Sequence, residues 1–171
     1  MKRLLILGIG TAVLASFASA QVSFSVGTYM PRDAAVKNIF GESSFAWGFG
    51  LGAAVREGRA GAGLDVSALS LSATNNRFFS IGATYGYELQ SGQGTDVLSY
   101  VRAGTGLAYY DYNLNVGAVN SKSKSFKPLT IAEAGVVFSN RITVSAQYLF
   151  MPKMDGFDFS GLRLQAMYAF K

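Results

Sequence analysis

The chain lacks cysteine and histidine altogether. The first absence removes disulfide frameworks, thiol nucleophiles and thiolate metal centres; the second removes the imidazole base and the usual zinc and haem ligands. Charge is scarce as well. Only 15% of the residues are Asp, Glu, Lys or Arg, against roughly 25% in an ordinary soluble domain, so a surface wetted on all sides would be short of ions. Proline is confined to Pro31, Pro128 and Pro152, which fall in connections or at a strand start, as the missing amide donor requires. The length, 171 residues, suits about one domain.

What is present begins with an address. Lys2 and Arg3 precede an apolar stretch from Leu4 to Leu14, followed by the small residues Ala18, Ser19 and Ala20, the layout of a secretory signal peptide. The stretch is shorter than the about 20 apolar residues of a spanning helix. The expected organisation is a cleavable signal peptide over residues 1–20 and one domain over residues 21–171. No cysteine follows the cleavage point, which argues against a lipoprotein. Losing Lys2 and Arg3 leaves thirteen basic residues against ten acidic ones and lowers the net charge from +5 to +3. That excess is too small to suggest a nucleic-acid partner.

From Gln21 onward, apolar residues recur at every second position, the period of a strand. Eight such runs are expected: Val22 to Thr28, Ser44 to Val55, Ala60 to Leu71, Phe78 to Leu89, Val97 to Tyr110, Lys127 to Phe138, Ile142 to Phe150 and Leu162 to Phe170. In the second, Phe45, Trp47, Phe49 and Leu51 alternate with Ala46, Gly48, Gly50 and Gly52. The third changes phase near Ala68 and Leu69, which suggests a bulge. Long connections around Met30 to Ser43, Asp111 to Ser125 and Met151 to Gly161 alternate with tight ones at Glu57-Gly58 and at Ser139 to Arg141. Ala34 to Phe40 could form a helical turn inside the first.

Two architectures use eight alternating antiparallel strands: a soluble barrel with its apolar face inside, or a membrane barrel with that face outside. The less apolar face decides between them. In water it should carry Lys, Glu and Asp; here it is mostly Gly, Ser, Ala and Thr, which suit the narrow lumen of an eight-stranded barrel. The fold expected is therefore all-β, an eight-stranded antiparallel up-and-down transmembrane barrel. Aromatic rings gather at the run ends, as membrane-interface girdles do. Phe45, Trp47, Phe79, Tyr109, Tyr148 and Phe150 would lie on the long-loop side, and Tyr87, Phe138, Tyr168 and Phe170 on the short-turn side.

With its leader, its eight amphipathic strands, its alternating long and short connections and its aromatic Phe170 near the end, the chain resembles the small outer-membrane barrels of the OmpA and OmpX type. The resemblance rests on pattern and covers Gln21 to Lys171. It implies the cell outer membrane as location, outer-membrane lipid as surroundings, and insertion by the barrel assembly machinery, for which a terminal aromatic resembles a sorting signal. Lys171 after Phe170 departs from that signal by one residue. It also implies a monomer with its long loops outside the cell.

Asp65, Glu88, Arg102, Glu133 and Arg163 fall on the lumen face, with Gln147 and Gln165 nearby. An isolated buried ion costs several kcal/mol, so the arginines and carboxylates should pair. A plugging network is preferred to an ion path. Lys122, Lys124 and Lys127 give the fifth connection a basic character that could meet lipid phosphates or an acidic surface partner, although a solvated loop is the simpler expectation. Asp155 and Asp158 are too few ligands for a calcium site. No catalytic residue, cofactor or metal is expected, because serine without a positioned base is a weak nucleophile. The leading function is a structural or surface-interaction role carried by the loops. The alternatives are a narrow passive channel and a secreted soluble carrier of an apolar ligand resembling a lipocalin.

Overall fold

The computed structural model describes residues 20–53, 60–92, 97–117, 119–139 and 141–170. The signal-peptide reading and the Glu57-Gly58 turn lie outside them. Alternation converts directly into strands: β1 (Ala20–Pro31), β2 (Ser44–Ala53), β3 (Ala60–Ala73), β4 (Asn76–Ser91), β5 (Val97–Val116), β6 (Val119–Phe138), β7 (Ile142–Phe150) and β8 (Gly161–Phe170), with one short helix α1 (Ala34–Phe40) between β1 and β2. Each strand pairs antiparallel with its sequence neighbours, and β8 pairs back onto β1 from Val22↔Phe170 to Pro31↔Gly161, closing the barrel. Closure leaves no edge along the paired lengths.

Two differences from the sequence reading share one cause. The stretch Asp111 to Ser125, expected as a long polar loop, is strand: β5 and β6 each run 20 residues and stay paired to Val116↔Val119. The bulge expected in β3 is absent, since the β3–β4 register runs unbroken from Ala60↔Leu89 to Ala73↔Asn76. In both places the alternation continues while its chemistry inverts. Along β5, outward Leu107 and Tyr109 give way to outward Asp111, Asn113 and Asn115, while Tyr110, Tyr112 and Leu114 turn inward and are buried. Along β3, outward Leu64 and Val66 give way to outward Ser70 and Ser72, while Leu69 and Leu71 are buried inside. A strand passing from one surrounding medium to another would look like this.

The loop end is therefore uneven. It carries the α1 connection, a tight β3–β4 turn at Thr74-Asn75, a tall β5–β6 hairpin and the connection from Met151 to Ser160. Asn115 ties the hairpin to the β3–β4 turn, its backbone N–H donating to Asn76 Oδ1 at 2.7 Å and its Nδ2 to the Asn75 carbonyl at 2.8 Å.

Candidate functional site

The interior has two tiers, and the sequence reading anticipated only the lower. At the loop end the lumen is filled by an apolar core. Its walls are the inward side chains of Tyr29, Leu69, Leu71, Phe78, Tyr110, Leu129, Ile131 and Leu149. Val36 and Phe40 of α1 and Met151, Met154 and Phe159 of the last connection enter from above. Phe159 stacks on Phe78 with ring centroids 4.0 Å apart and planes 9° from parallel. The connection from Met151 to Ser160, expected as a long loop, is thus a stopper. Tyr29, Phe78, Met154 and Phe159 are fully buried.

Polar groups hold the stopper in place. Tyr29 donates its hydroxyl to the Phe159 carbonyl, and Arg32 N–H reaches the Ser160 carbonyl at 2.9 Å. Asp33 caps α1 through Oδ1, accepting from Ala35 N at 2.7 Å, while its Oδ2 accepts from Asp158 N at 3.1 Å. One carboxylate thus links the first and last connections. Asp155 and Gly156 both have positive φ, 49° and 90°, and form the two-residue turn between Met154 and Phe157, which exchange backbone hydrogen bonds of 2.9 and 3.0 Å. Positive φ at both turn positions suits Asp-Gly. Asp155 also accepts from Tyr112 OH at 2.8 Å and from Ser121 Oγ, docking the stopper against the tall hairpin.

The hydroxyls of Ser121 and Tyr112 hold the Asp155 carboxyl below its ordinary value of 3.8. At Asp158 burial pushes upward, but the hydrogen bonds from Ser160 outweigh it and the net shift is again downward. A carboxylate with a depressed native pKa contributes stability above its unfolded value and loses it as pH falls through the native one. The docking of residues 151–160 is expected to be constant from about pH 7 to about pH 5 and to weaken below about pH 4. Amide exchange in that segment, measured against exchange in β4, tests this; loosening already near neutral pH would contradict it.

Beneath the stopper lie the polar residues. Glu133 is buried and accepts from Tyr100 OH at 2.6 Å, Gln147 Nε2 at 3.1 Å and Gln165 Nε2 at 3.3 Å. Arg163, also buried, donates from Nη2 to Ser25 Oγ at 3.0 Å. Arg102 donates to the Gly63 carbonyl at 3.2 Å, and Glu88 accepts from Gln90 at 2.6 Å. Asp65 stands within electrostatic reach of both Arg102 and Arg163. All five predicted lumen residues fall on the inward side of their strands, but the expected close pairing is not what joins them. Among the described residues, no guanidinium comes within 4.0 Å of a lumen carboxylate.

Glycine explains that geometry. A Cβ at Gly48 would stand 3.0 Å from Arg163 Nη2, and one at Gly86 would stand 2.9 Å from Arg102 Nε. The guanidiniums lie flat along bare backbone on the wall and find hydroxyl and carbonyl acceptors there. Hydrogen bonds to neutral partners offset part of the desolvation of each ion. Among the described residues, Gln147 Oε1 and Arg163 Nε have no hydrogen-bond partner.

The ten aromatics singled out from sequence all lie on the outward face. Phe45, Tyr87, Phe138, Phe150, Tyr168 and Phe170 are exposed, and Trp47, Phe79, Tyr109 and Tyr148 are partly so. Four of them form two pairs: Tyr148 with Phe150 at 4.6 Å near the loop end and Tyr168 with Phe170 at 5.2 Å near the turn end. An eleventh was missed. Phe126 is the most exposed large apolar side chain in the described residues, at 74%, and pairs with Tyr109 at 5.3 Å. It sat in a stretch whose Ser and Lys content reads as loop, although its alternation is that of a strand.

No protein-family profile and no curated protein sequence matches the chain. Solved structures do match. Neisserial surface protein A aligns at 13% identity and a TM-score of 0.64, covering 88% of this chain and 96% of that one. The outer membrane enzyme PagL aligns at 18% identity and a TM-score of 0.57, covering 89% and 99%. The N-terminal β-barrel domain of Pseudomonas aeruginosa OprF aligns at 13% identity and a TM-score of 0.51, covering 89% and 98%. Identities this low speak to architecture alone, and the architecture is that of the small eight-stranded outer-membrane barrels.

Proposed function

We propose that this is an integral outer-membrane barrel, stoppered at its loop end, whose role is structural or surface-interactive and is carried by the loop-end surface. The inversion of alternation carries the membrane part of this reading. Below the level of Tyr109 and Phe126 the outward residues of the described strands are overwhelmingly apolar; above it, apart from Phe79, the outward residues of β3 to β6 are Arg, Asp, Asn, Ser and Lys. A band of exposed Val, Leu, Ile, Phe and Tyr around a closed barrel is too large for a water-facing surface and suits hydrocarbon, in which closure keeps every strand paired. The outward rings at the two ends of the band act as interface girdles.

The role of the interior follows from its two tiers. A dry core offers neither ion coordination nor a water path, so the loop end closes the lumen. The lower tier, with its ring of Asp65, Glu88, Arg102, Glu133 and Arg163 and the unmet hydrogen-bonding capacity of Gln147 and Arg163, is favourable for water but leads nowhere. Purified protein in planar bilayers should therefore be electrically silent apart from rare brief events. Sustained conductance of porin size would replace the stopper reading with the channel alternative. Release from cells by osmotic shock without detergent would replace it with the soluble carrier.

Catalysis has no support in the composition. The outer membrane enzyme among the similar structures does not extend an activity to a chain without histidine. Insertion would use the barrel assembly machinery, with Phe170 near the end of β8 as the recognised aromatic. Any partner would meet the hairpin of β5 and β6 and the docked connections, which together form the surface beyond the apolar band.

A further inference from the structure

Three adjacent strands present an ordered outward grid at the loop end. In register across β4, β5 and β6 lie Ile81, Tyr109 and Phe126, then Phe79, Asp111 and Lys124, then Arg77, Asn113 and Lys122. The lowest row is apolar, the highest is cationic and polar, and the whole change takes two outward steps. Asp111 sits between two cations, 3.3 Å from Arg77 Nη2 and 3.6 Å from Lys124 Nζ. Its side chain is 15% exposed while those of Arg77 and Lys124 are 58% and 60% exposed. The carboxylate therefore holds the two cations side by side from beneath and leaves their heads facing out. Lys122 is exposed and has no carboxylate within 4.0 Å among the described residues. Three positive charges against one negative leave a surplus of two, directly above the Tyr109–Phe126 ring pair.

We propose that Arg77, Lys122 and Lys124 form a binding site for the phosphate of a membrane lipid headgroup, with the lipid's acyl chain lying on Tyr109 and Phe126 below. The inference rests on the reading of the outward face as lipid-facing and adds a specific ligand to it. Charge and depth agree. A phosphomonoester carries between one and two negative charges near neutral pH, which matches the surplus, and interfacial rings mark the headgroup level. Arginine offers a planar fork of donors to phosphate while the lysines act as mobile point charges. Neighbouring strands are about 4.8 Å apart, so Arg77 and Lys122, two strands apart in one row, flank a phosphate rather than crowd it.

The test is native mass spectrometry of the full-length protein from mixed micelles in which phosphatidic acid is titrated against phosphatidylcholine. One phosphatidic acid should be retained per barrel. Each cation near a membrane surface strengthens binding about fivefold, so the triple variant Arg77→Gln, Lys122→Gln, Lys124→Gln should bind about a hundredfold more weakly. Lys37→Gln, which removes a cation paired with Glu42 elsewhere on the loop end, should retain the lipid as before. Heat-modifiable gel migration checks folding; if the triple variant fails it, Lys122→Gln alone should weaken binding about fivefold. Equal retention by variant and parent overturns the site. So does an equal loss in Lys37→Gln, which would mean bulk charge, or displacement by inorganic phosphate alone, which would mean a free-anion site. Failure of the membrane reading is distinguishable, because the parent protein would then not insert into phosphatidylcholine vesicles at all.

Discussion

Replacing Val144 with arginine is expected to cost about 2–4 kcal/mol of barrel stability in a bilayer. Val144 faces outward, is half exposed and pairs with Ala166. It lies between the Tyr148–Phe150 pair towards the loop end and the Tyr168–Phe170 pair towards the turn end, so it stands near the middle of the apolar band. Phe126→Arg, at the level where the outward chemistry inverts, should cost only about 0–1 kcal/mol, because the guanidinium there reaches the headgroups. The gradient is the diagnostic. In water an exposed valine replaced by arginine would shift stability by no more than about 0.5 kcal/mol, and the two variants would be alike. Urea unfolding in phosphatidylcholine vesicles reads both, and equal small effects would remove the membrane from the account.

The second large effect belongs to the stopper. Phe159→Ala deletes a fully buried ring that stacks on Phe78 and tilts against Phe40 at 6.4 Å. Truncating a buried phenylalanine costs about 3–5 kcal/mol. Here the loss should fall on loop docking rather than on the strand ladders, since the hydrogen bonds of the barrel are untouched. Amide exchange over residues 151–160 should accelerate by several orders of magnitude while β4 and β5 keep their protection. In planar bilayers the variant should show ion events that the parent lacks. A variant whose segment 151–160 exchanges like the parent's would mean that the aromatic core does not hold the stopper.

The strand count, the closure and the outward placement of ten aromatics were legible because one face of each strand meets one medium over most of its length. Reading failed where that condition failed. Once both faces carry large side chains, or the polar face turns outward, strict alternation of apolar and polar gives way to neighbours such as Phe78-Phe79, Tyr109-Tyr110 and Leu149-Phe150. These doublets mark the level at which the interior becomes apolar before the exterior has become polar. They were the available sign of the stopper core, and of strands continuing past it. Ser121 to Ser125 read as loop because Ser and Lys are common in loops, yet every second residue onward from Lys122, through Lys124 to Phe126, points the same way.

The lumen residues were legible as a set but not in their pairing. Period two assigns Asp65, Glu88, Arg102, Glu133 and Arg163 to one face, and nothing in it reports how far a side chain travels along the wall. That depends on gaps such as Gly86, one strand from Arg102, and Gly48, two strands from Arg163 across β1. Sequence distance hides these gaps, and only the closed barrel brings them beside the arginines. Met151 to Phe159 is the same problem in a connection. Its two acids dominated the reading, whereas its Met and Phe side chains decide where it goes.

The hydrogen bond from Tyr29 to the Phe159 carbonyl joins residues 130 positions apart, and those residues flank the seam where β1 meets β8. The loop-end core consequently cannot assemble piecemeal on a nascent sheet. Its lid is drawn from both ends of the chain, Val36 and Phe40 of α1 and Met151, Met154 and Phe159 of the last connection, and is complete only when the first and last strands zip together. A tyrosine probe at position 29 would therefore time the sealing of the cylinder itself, because the loop closure it awaits is among the longest this polypeptide can make.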